Sequence, residues 1–256
     1  MRRISLVVLV LLAAVAGGCG SARETAPTAT RVDSVQGTTV TRCRAGALVP
    51  AGSAKVAYAA VVHERAVAYR VPGGERIASF EKLNVNRYPT VLGVLGRVLD
   101  AGCTVAWYRV QLPVKPNGSV GFVRAADVDV APVATRIVVD LSDRRLTLYR
   151  SGRAELAATV AVGSPATPTP TGRYYVNQRL VPEDVNGPFG PGAVGISAFS
   201  NVLTGWTQGG PIAIHGTNAP WSIGRAVSDG CVRLPNATLR RVFREAVAGT
   251  PVIIRA

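Results

Sequence analysis

Apolar residues in this chain recur mostly at every second position, in short runs cut by glycine, proline and asparagine. That period belongs to strands and turns, not to helices. Ala66-Val67-Ala68-Tyr69-Arg70-Val71 runs into Pro72-Gly73-Gly74, and the stretch from Thr104 to Leu112 is followed by Pro116-Asn117-Gly118. Asn-Gly between alternating runs predicts a tight hairpin, because both central residues of a type I′ turn need φ > 0. Residues 43–130 therefore read as a small all-β module. A second domain, residues 135–256, begins with Ile137–Leu141 and Arg145–Tyr149 around the polar turn Ser142-Asp143-Arg144. Leu156–Val162 is a further strand candidate. The prolines of Thr167–Gly172 lack the ladder donor and make that segment a loop. Tyr174-Tyr175-Val176 resumes strand character, and residues 182–211, rich in Gly, Pro and Asn, read as a long flap carrying Phe189, Phe199 and Trp206. One helix is predicted, Asn236 to Ala248, with Leu239, Val242, Phe243, Ala246 and Val247 on one face, Asn236 as cap and Gly249 as stop. Pro251-Val252-Ile253-Ile254 then closes the sheet.

The N-terminus departs from this pattern. Arg2 and Arg3 precede an apolar run, Ile4 to Ala16, which ends in Gly17-Gly18-Cys19. The run is shorter than the ~20 residues needed to cross a bilayer and has the order of a secretory signal, here residues 1–18. Residues 19–42 are Ala, Thr, Ser and Arg without periodicity, a flexible tether with an r.m.s. reach of roughly 25–30 Å. Ala16-Gly17-Gly18-Cys19 resembles a bacterial lipobox, which implies lipidation of Cys19 and anchoring to the membrane; ordinary signal cleavage is the alternative. The expected location is the outer face of the cytoplasmic membrane, the periplasm or the cell wall.

Export changes the reading of charge and thiols. The formal charge of +14 becomes +12 once Arg2 and Arg3 leave, and the basic residues are spread out with no run of five. Diffuse charge favours weak adhesion to anionic surfaces, and nucleic acid is disfavoured by export and by the lack of a binding motif. Of four cysteines, Cys43 and Cys103 remain after Cys19 and Cys231 are given roles; in an oxidising compartment they form a disulfide or stay as two buried thiols. No cysteine pair has metal-ligand spacing and the two histidines, His63 and His215, lie far apart, so neither a metal nor another cofactor is implied.

The chemistry concentrates on His215 and Cys231, the latter within Ser228-Asp229-Gly230-Cys231-Val232-Arg233-Leu234. A thiol is a useful nucleophile as thiolate, so a cysteine in reach of an imidazole suggests covalent acyl chemistry. A buried structural cysteine is the bland alternative. His63 lies in the other module and reads as a surface or core residue.

Two resemblances follow from these residues. Trp107-Tyr108-Arg109-Val110 through Pro116-Asn117-Gly118-Ser119-Val120-Gly121-Phe122-Val123 resembles the bacterial SH3-like domains beside wall enzymes, implying a small β-barrel that binds or merely spaces. Ile137 to Leu148, Thr169-Pro170-Thr171-Gly172, Ile214-His215-Gly216-Thr217, Ser228 to Leu234 and the terminal helix and strand resemble the YkuD-like L,D-transpeptidase domain. The implied fold class is mainly β: an SH3-like barrel, then a YkuD-like β-sandwich with one C-terminal helix. The implied enzyme is a peptidoglycan L,D-transpeptidase that forms 3→3 cross-links between stem peptides through a Cys231 thioester. His215 is the implied base, the Gly216 carbonyl its support, and backbone amides around Gly230 and Cys231 the oxyanion hole. Ser228, Arg233, Trp221 and Tyr174 are candidate substrate contacts, each with an ordinary structural alternative. Carbapenem-type β-lactams are implied covalent inhibitors. The site departs from many relatives in carrying Asp229, where a second histidine often stands two positions before the cysteine; a carboxylate there raises the thiol pKa unless it points away, paired with Arg225. The competing functions are L,D-carboxypeptidase action or protein attachment by the same site, and a non-catalytic wall-binding lipoprotein. NlpC-like peptidases are disfavoured because their cysteine precedes the histidine.

Overall fold

The computed structural model describes residues 43–256. The expected signal, the tether and Cys19 lie outside them. The N-terminal sheet holds β1 (Leu48–Pro50), β2 (Ala57–Val62), β3 (Arg65–Tyr69), β4 (Arg76–Glu81), β5 (Val91–Leu99), β6 (Val105–Gln111), β7 (Val120–Arg124) and β8 (Val128–Val133). Its order is β4-β3-β7-β6-β5-β2-β8, with β1 also on β5, and every pairing is antiparallel. Ala60, Val62, Ala66, Ala68, Leu92 and Val110 face its core. Cys43 and Cys103 are joined by a disulfide, with Cα atoms 5.7 Å apart.

The Asn-Gly segment does not form the predicted type I′ turn. Gly118 has φ +82°, but Asn117 is not at positive φ, and Ser119 N–H closes the turn on the Pro116 carbonyl at 3.2 Å. Asn117 is recruited elsewhere: its amide donates to the Phe199 carbonyl at 2.7 Å and accepts from Phe199 N–H at 2.8 Å. A two-residue hairpin would have taken that side chain away from its partner.

The second sheet contains β9 (Thr135–Asp140), β10 (Arg145–Arg150), β11 (Arg153–Thr159), β13 (Gly172–Leu180), β14 (Ala193–Phe199), β15 (Pro211–His215), β17 (Val232–Arg233) and β18 (Pro251–Arg255); β12 (Val162–Gly163) and β16 (Ala226–Ser228) pair separately, and α1 spans Asn236–Glu245. The order is β11-β10-β9-β18-β13-β14-β15-β17, with β18–β9 and β15–β17 parallel. Ile137, Leu146, Leu148, Val176, Ile196, Ile212 and Ile214 form its core with Leu239 and Val242 of α1. Fully burying each leucine or isoleucine contributes roughly 1.5–3 kcal/mol. The protein is thus mainly β, and among the described residues α1 is the one α-helix. No helix among them is long and apolar enough to cross a membrane.

Three boundaries differ from expectation. Residues 182–211 are not one loop, because Ala193–Phe199 forms a strand buried from Ala193 to Ala198. A strand buried on both faces loses the alternation that reveals half-buried strands, and Gly195 masks it further. The helix ends at Glu245, with Ala246 already non-helical. Asn236 does not cap it: Pro235 occupies the cap position, and Asn236 Oδ1 accepts from Thr217 N–H at 2.8 Å.

The described residues pack as one compact unit. Ala59, Val91 and Val133 of the first sheet cluster with Ala248 after α1. Gln111 donates its side-chain amide to the Arg173 carbonyl, Arg136 reaches the carbonyls of Ser53 and Ala54 at 3.0 Å, and Thr135 bonds Thr250 at 2.7 Å in the interior. The Gln111 and Arg136 bonds tie the first sheet to the second, and the Thr135–Thr250 bond satisfies two buried hydroxyls within the second.

Candidate active site

Alternation along β15 sorts its side chains. Ile212 and Ile214 are buried in the core, so Ala213 and His215 project from the opposite face. Val232 of β17 is buried, so Arg233 and Cys231, the residue directly before the strand, share the face of His215. The parallel register sets Ile214 against Val232 and His215 against Arg233. Cys231 then falls level with Ala213, one diagonal step from His215, roughly 8 Å between Cα atoms for a 3.3 Å rise and 4.8 Å strand spacing. Ala213 N–H points at the Cys231 sulfur at 3.4 Å. His215, Ser228, Asp229, Cys231 and Arg233 all line one cleft of about 1040 Å³.

The turn before the thiol is braced from below. Ser228 Oγ donates to the Cys231 carbonyl at 2.5 Å and accepts from Gly230 N–H at 3.3 Å. Ser164 N–H and Thr167 Oγ1 hold the Ser228 carbonyl at 2.8 and 3.0 Å. Gly230 has φ +106°, a conformation that strains any residue with a Cβ. Ser228 therefore shapes the turn with its hydroxyl. Thr167, quoted in the sequence only as part of a proline-rich loop, supports the nucleophile segment.

Burial sets the protonation states. His215 is 4% exposed, and desolvation, with the Arg233 charge adding, pulls its pKa down to about 4 against the opposing hydrogen bond to Gly216. The ring is neutral at pH 7. Its Nδ1 lies 2.5 Å from the Gly216 carbonyl, which assigns the proton to Nδ1 and leaves Nε2 as acceptor. Phe189 covers the ring edge-on with centroids 4.9 Å apart. Burial raises the Cys231 pKa, Asp229 raises it further, and the Ala213 amide and Arg233 oppose. Arg233 Nε is buried without a hydrogen-bond partner among the described residues.

Several sequence candidates lie elsewhere. Tyr174 is 3% exposed in the core, its hydroxyl donating to the Thr171 carbonyl at 2.9 Å, and it does not line this cleft. Trp221 is exposed outside the cleft with Arg225 over its ring at 5.7 Å, and among the described residues no ion pair joins Arg225 to Asp229. Alternation places Tyr174 inward, and sequence could not say which face of β13 meets the core. Residues the sequence did not offer as site residues contribute instead. Asn236 Oδ1 bonds Thr217 N–H directly after the Gly216 carbonyl, and Gln178, Gln208, Asn86 and Tyr88 line the cleft.

A thiol, a neutral imidazole and a guanidinium converging on one cleft form the group set of cysteine-dependent acyl transfer. The comparisons narrow that class. Residues 134–254 match the YkuD family model, described as an L,D-transpeptidase catalytic domain. The Bacillus subtilis protein YkuD is 35% identical over 126 residues, 49% of this chain and 69% of that protein. Its Bacillus licheniformis counterpart is 37% identical over 119 residues, 46% of this chain and 64% of that protein. A crystal structure of a cysteine-to-serine mutant of the Enterococcus faecium L,D-transpeptidase aligns over 47% of this chain and 49% of its own, at 27% identity and a TM-score of 0.36. The chain belongs to the YkuD family of L,D-transpeptidase domains.

Proposed function

We propose that the protein is a peptidoglycan L,D-transpeptidase with Cys231 as nucleophile and His215 as base. The observation that supports this is that His215, at the end of β15, and Cys231, directly before β17, line one cleft inside the family domain. His215 Nε2 takes the thiol proton as sulfur attacks the carbonyl of the third stem residue. The C–N bond to the fourth residue breaks, the amine leaves with that proton, and a thioester remains. The side-chain amine of a second stem then attacks the thioester, loses its proton to His215 and releases the thiol, forming a 3→3 cross-link. The Gly230 amide already serves Ser228, so the Cys231 amide is the proposed oxyanion donor. Arg233 offers its unpaired Nε to a substrate carboxylate. Export with lipidation at Cys19 would hold this cleft near nascent wall, and carbapenem-type β-lactams would acylate the same thiol.

Mass spectrometry of products from disaccharide-tetrapeptide tests the reading. Loss of the fourth residue with appearance of a tetrapeptide–tripeptide dimer is expected. Tripeptide alone would reassign the protein as a carboxypeptidase, and no turnover would leave the wall-binding alternative. The charge of Asp229 makes a separate prediction. Because it raises the Cys231 pKa, the alkaline rise of acylation rate that accompanies thiolate formation should lie at higher pH in wild type than in Asp229→His, which removes the carboxylate. Carbapenem acylation rates from pH 5 to 9 check this, and superimposable profiles would remove Asp229 from the account.

A further inference from the structure

We infer that the loop of residues 82–90, from the N-terminal sheet, is the far wall of the substrate cleft and that its asparagines aim Gln178 and Gln208 at neutral amide or hydroxyl groups of the substrate. This rests on the proposed function and adds a part of the molecule outside the family domain.

The loop joins β4 to β5 and is internally braced. Asn84 Oδ1 accepts from the N–H groups of Asn86 and Tyr88 at 2.9 and 3.1 Å, and Leu83 bridges Pro89. Asn86 and Tyr88 line the same cleft as Cys231. Gln178 Oε1 accepts from Asn84 Nδ2 and Asn86 Nδ2, both at 3.0 Å, which uses its carbonyl end and fixes its amide orientation. Its Nε2 consequently stands beside Gly195, another cleft residue, 3.1 Å from where a Cβ there would sit. Gln208 Nε2 donates to Asn86 Oδ1 at 2.9 Å, while its Oε1 has only a 3.5 Å contact.

The wall thus presents one oriented donor, Gln178 Nε2, and one oriented acceptor, Gln208 Oε1. A donor and an acceptor without formal charge suit groups that carry both functions, such as peptide amides, sugar hydroxyls and acetamido groups. Gln208 also has φ +57°, an uncommon conformation for a residue with a Cβ, and Asn86 holds its side chain there. Ordinary contacts between two sheets would be covered, whereas Tyr88 and Gln208 are exposed and Gln178 and Asn86 only partly buried.

Binding in a Cys231→Ala background tests this without turnover, using free stem tetrapeptide and disaccharide-tetrapeptide as probes. Gln178→Glu keeps the oxygen that receives Asn84 and Asn86 and removes the donor, so it should bind about fivefold to tenfold more weakly at unchanged Tm, as expected for one lost hydrogen bond. Asn86→Ala, which releases both glutamines, should weaken binding at least as much. Equal loss for both probes assigns the wall to the peptide, and loss confined to the disaccharide form assigns it to the sugar. Wild-type affinity in Gln178→Glu, or no binding of either probe by the parent, overturns the inference. Weakened binding in a protein that never becomes acylated would leave the wall standing and remove only the reading of Cys231.

Discussion

Replacing Cys231 with alanine is expected to eliminate acyl transfer, lowering turnover of tetrapeptide by at least about 10⁵-fold, as seen when a covalent nucleophile is deleted. No other cysteine among the described residues can substitute, because Cys231 is their free thiol and Cys43 is bonded to Cys103. Serine should not rescue the reaction. Burial already disfavours an anion at this position, and a hydroxyl is a far weaker acid than a thiol, so His215 would have to create a much less stable alkoxide in the same cleft. The side chain is small and only partly buried, so Tm should move little. Intact-mass spectra after carbapenem treatment give the direct check: the parent gains one β-lactam and Cys231→Ala gains none. An adduct on the alanine variant would place the nucleophile elsewhere.

His215→Ala has the next largest expected effect, a fall of about 10²–10⁴-fold in acylation at neutral pH. The sign of the pH response follows from the two perturbed groups. With His215 lowered to about 4 and Cys231 raised, the resting pair near pH 7 is neutral imidazole and neutral thiol, not an ion pair. In the parent, loss of activity on acidification should therefore wait until pH approaches about 4, where the ring becomes protonated. Without the ring, attack depends on the small thiolate population, and the residual rate should climb about tenfold per pH unit toward the raised thiol pKa. Stopped-flow acylation across pH would separate these outcomes. A flat residual profile would exclude His215 as the base, and a parent that loses activity near pH 6.5 would instead show that burial leaves its ring near the ordinary imidazole value.

The ring's precision has a structural source outside the motif. Gly216 holds His215 Nδ1 through its carbonyl, and a Cβ there would lie 2.4 Å from Asn236 Oδ1 and 2.7 Å from Pro191 Cδ. Asn236 lies in the first turn of α1, so helix packing fixes the loop that fixes the imidazole. Its position was visible in the sequence, but a helix-start asparagine reads as a cap from sequence alone. Capping is a local property, whereas the contact with Thr217 depends on a residue nineteen positions away.

The hairpin of β9 and β10, the proline-rich loop, the Leu239–Val242 part of the helix face and the final strand were legible because each follows a local rule of period or turn chemistry, whereas Val247 lies beyond the helix and is exposed. β14 was not, since burial on both faces erased its alternation. Tyr174 and Trp221 show the same limit at the site. Aromatic character marked both as candidates, but the pleat turned one into the core and a surface turn set the other against Arg225.

What the sequence determined by itself is the chemistry on offer: a single His and Cys in a family motif, and glycines where backbone must pass closely. Those are properties of residue type and spacing. Tertiary structure decided which groups meet, because a parallel pairing of β15 with β17 is a contact between distant segments that no local period encodes. It also decided their protonation, since pKa follows burial and not identity, and it brought Asn86 and Tyr88 of the N-terminal sheet to the cleft of Cys231.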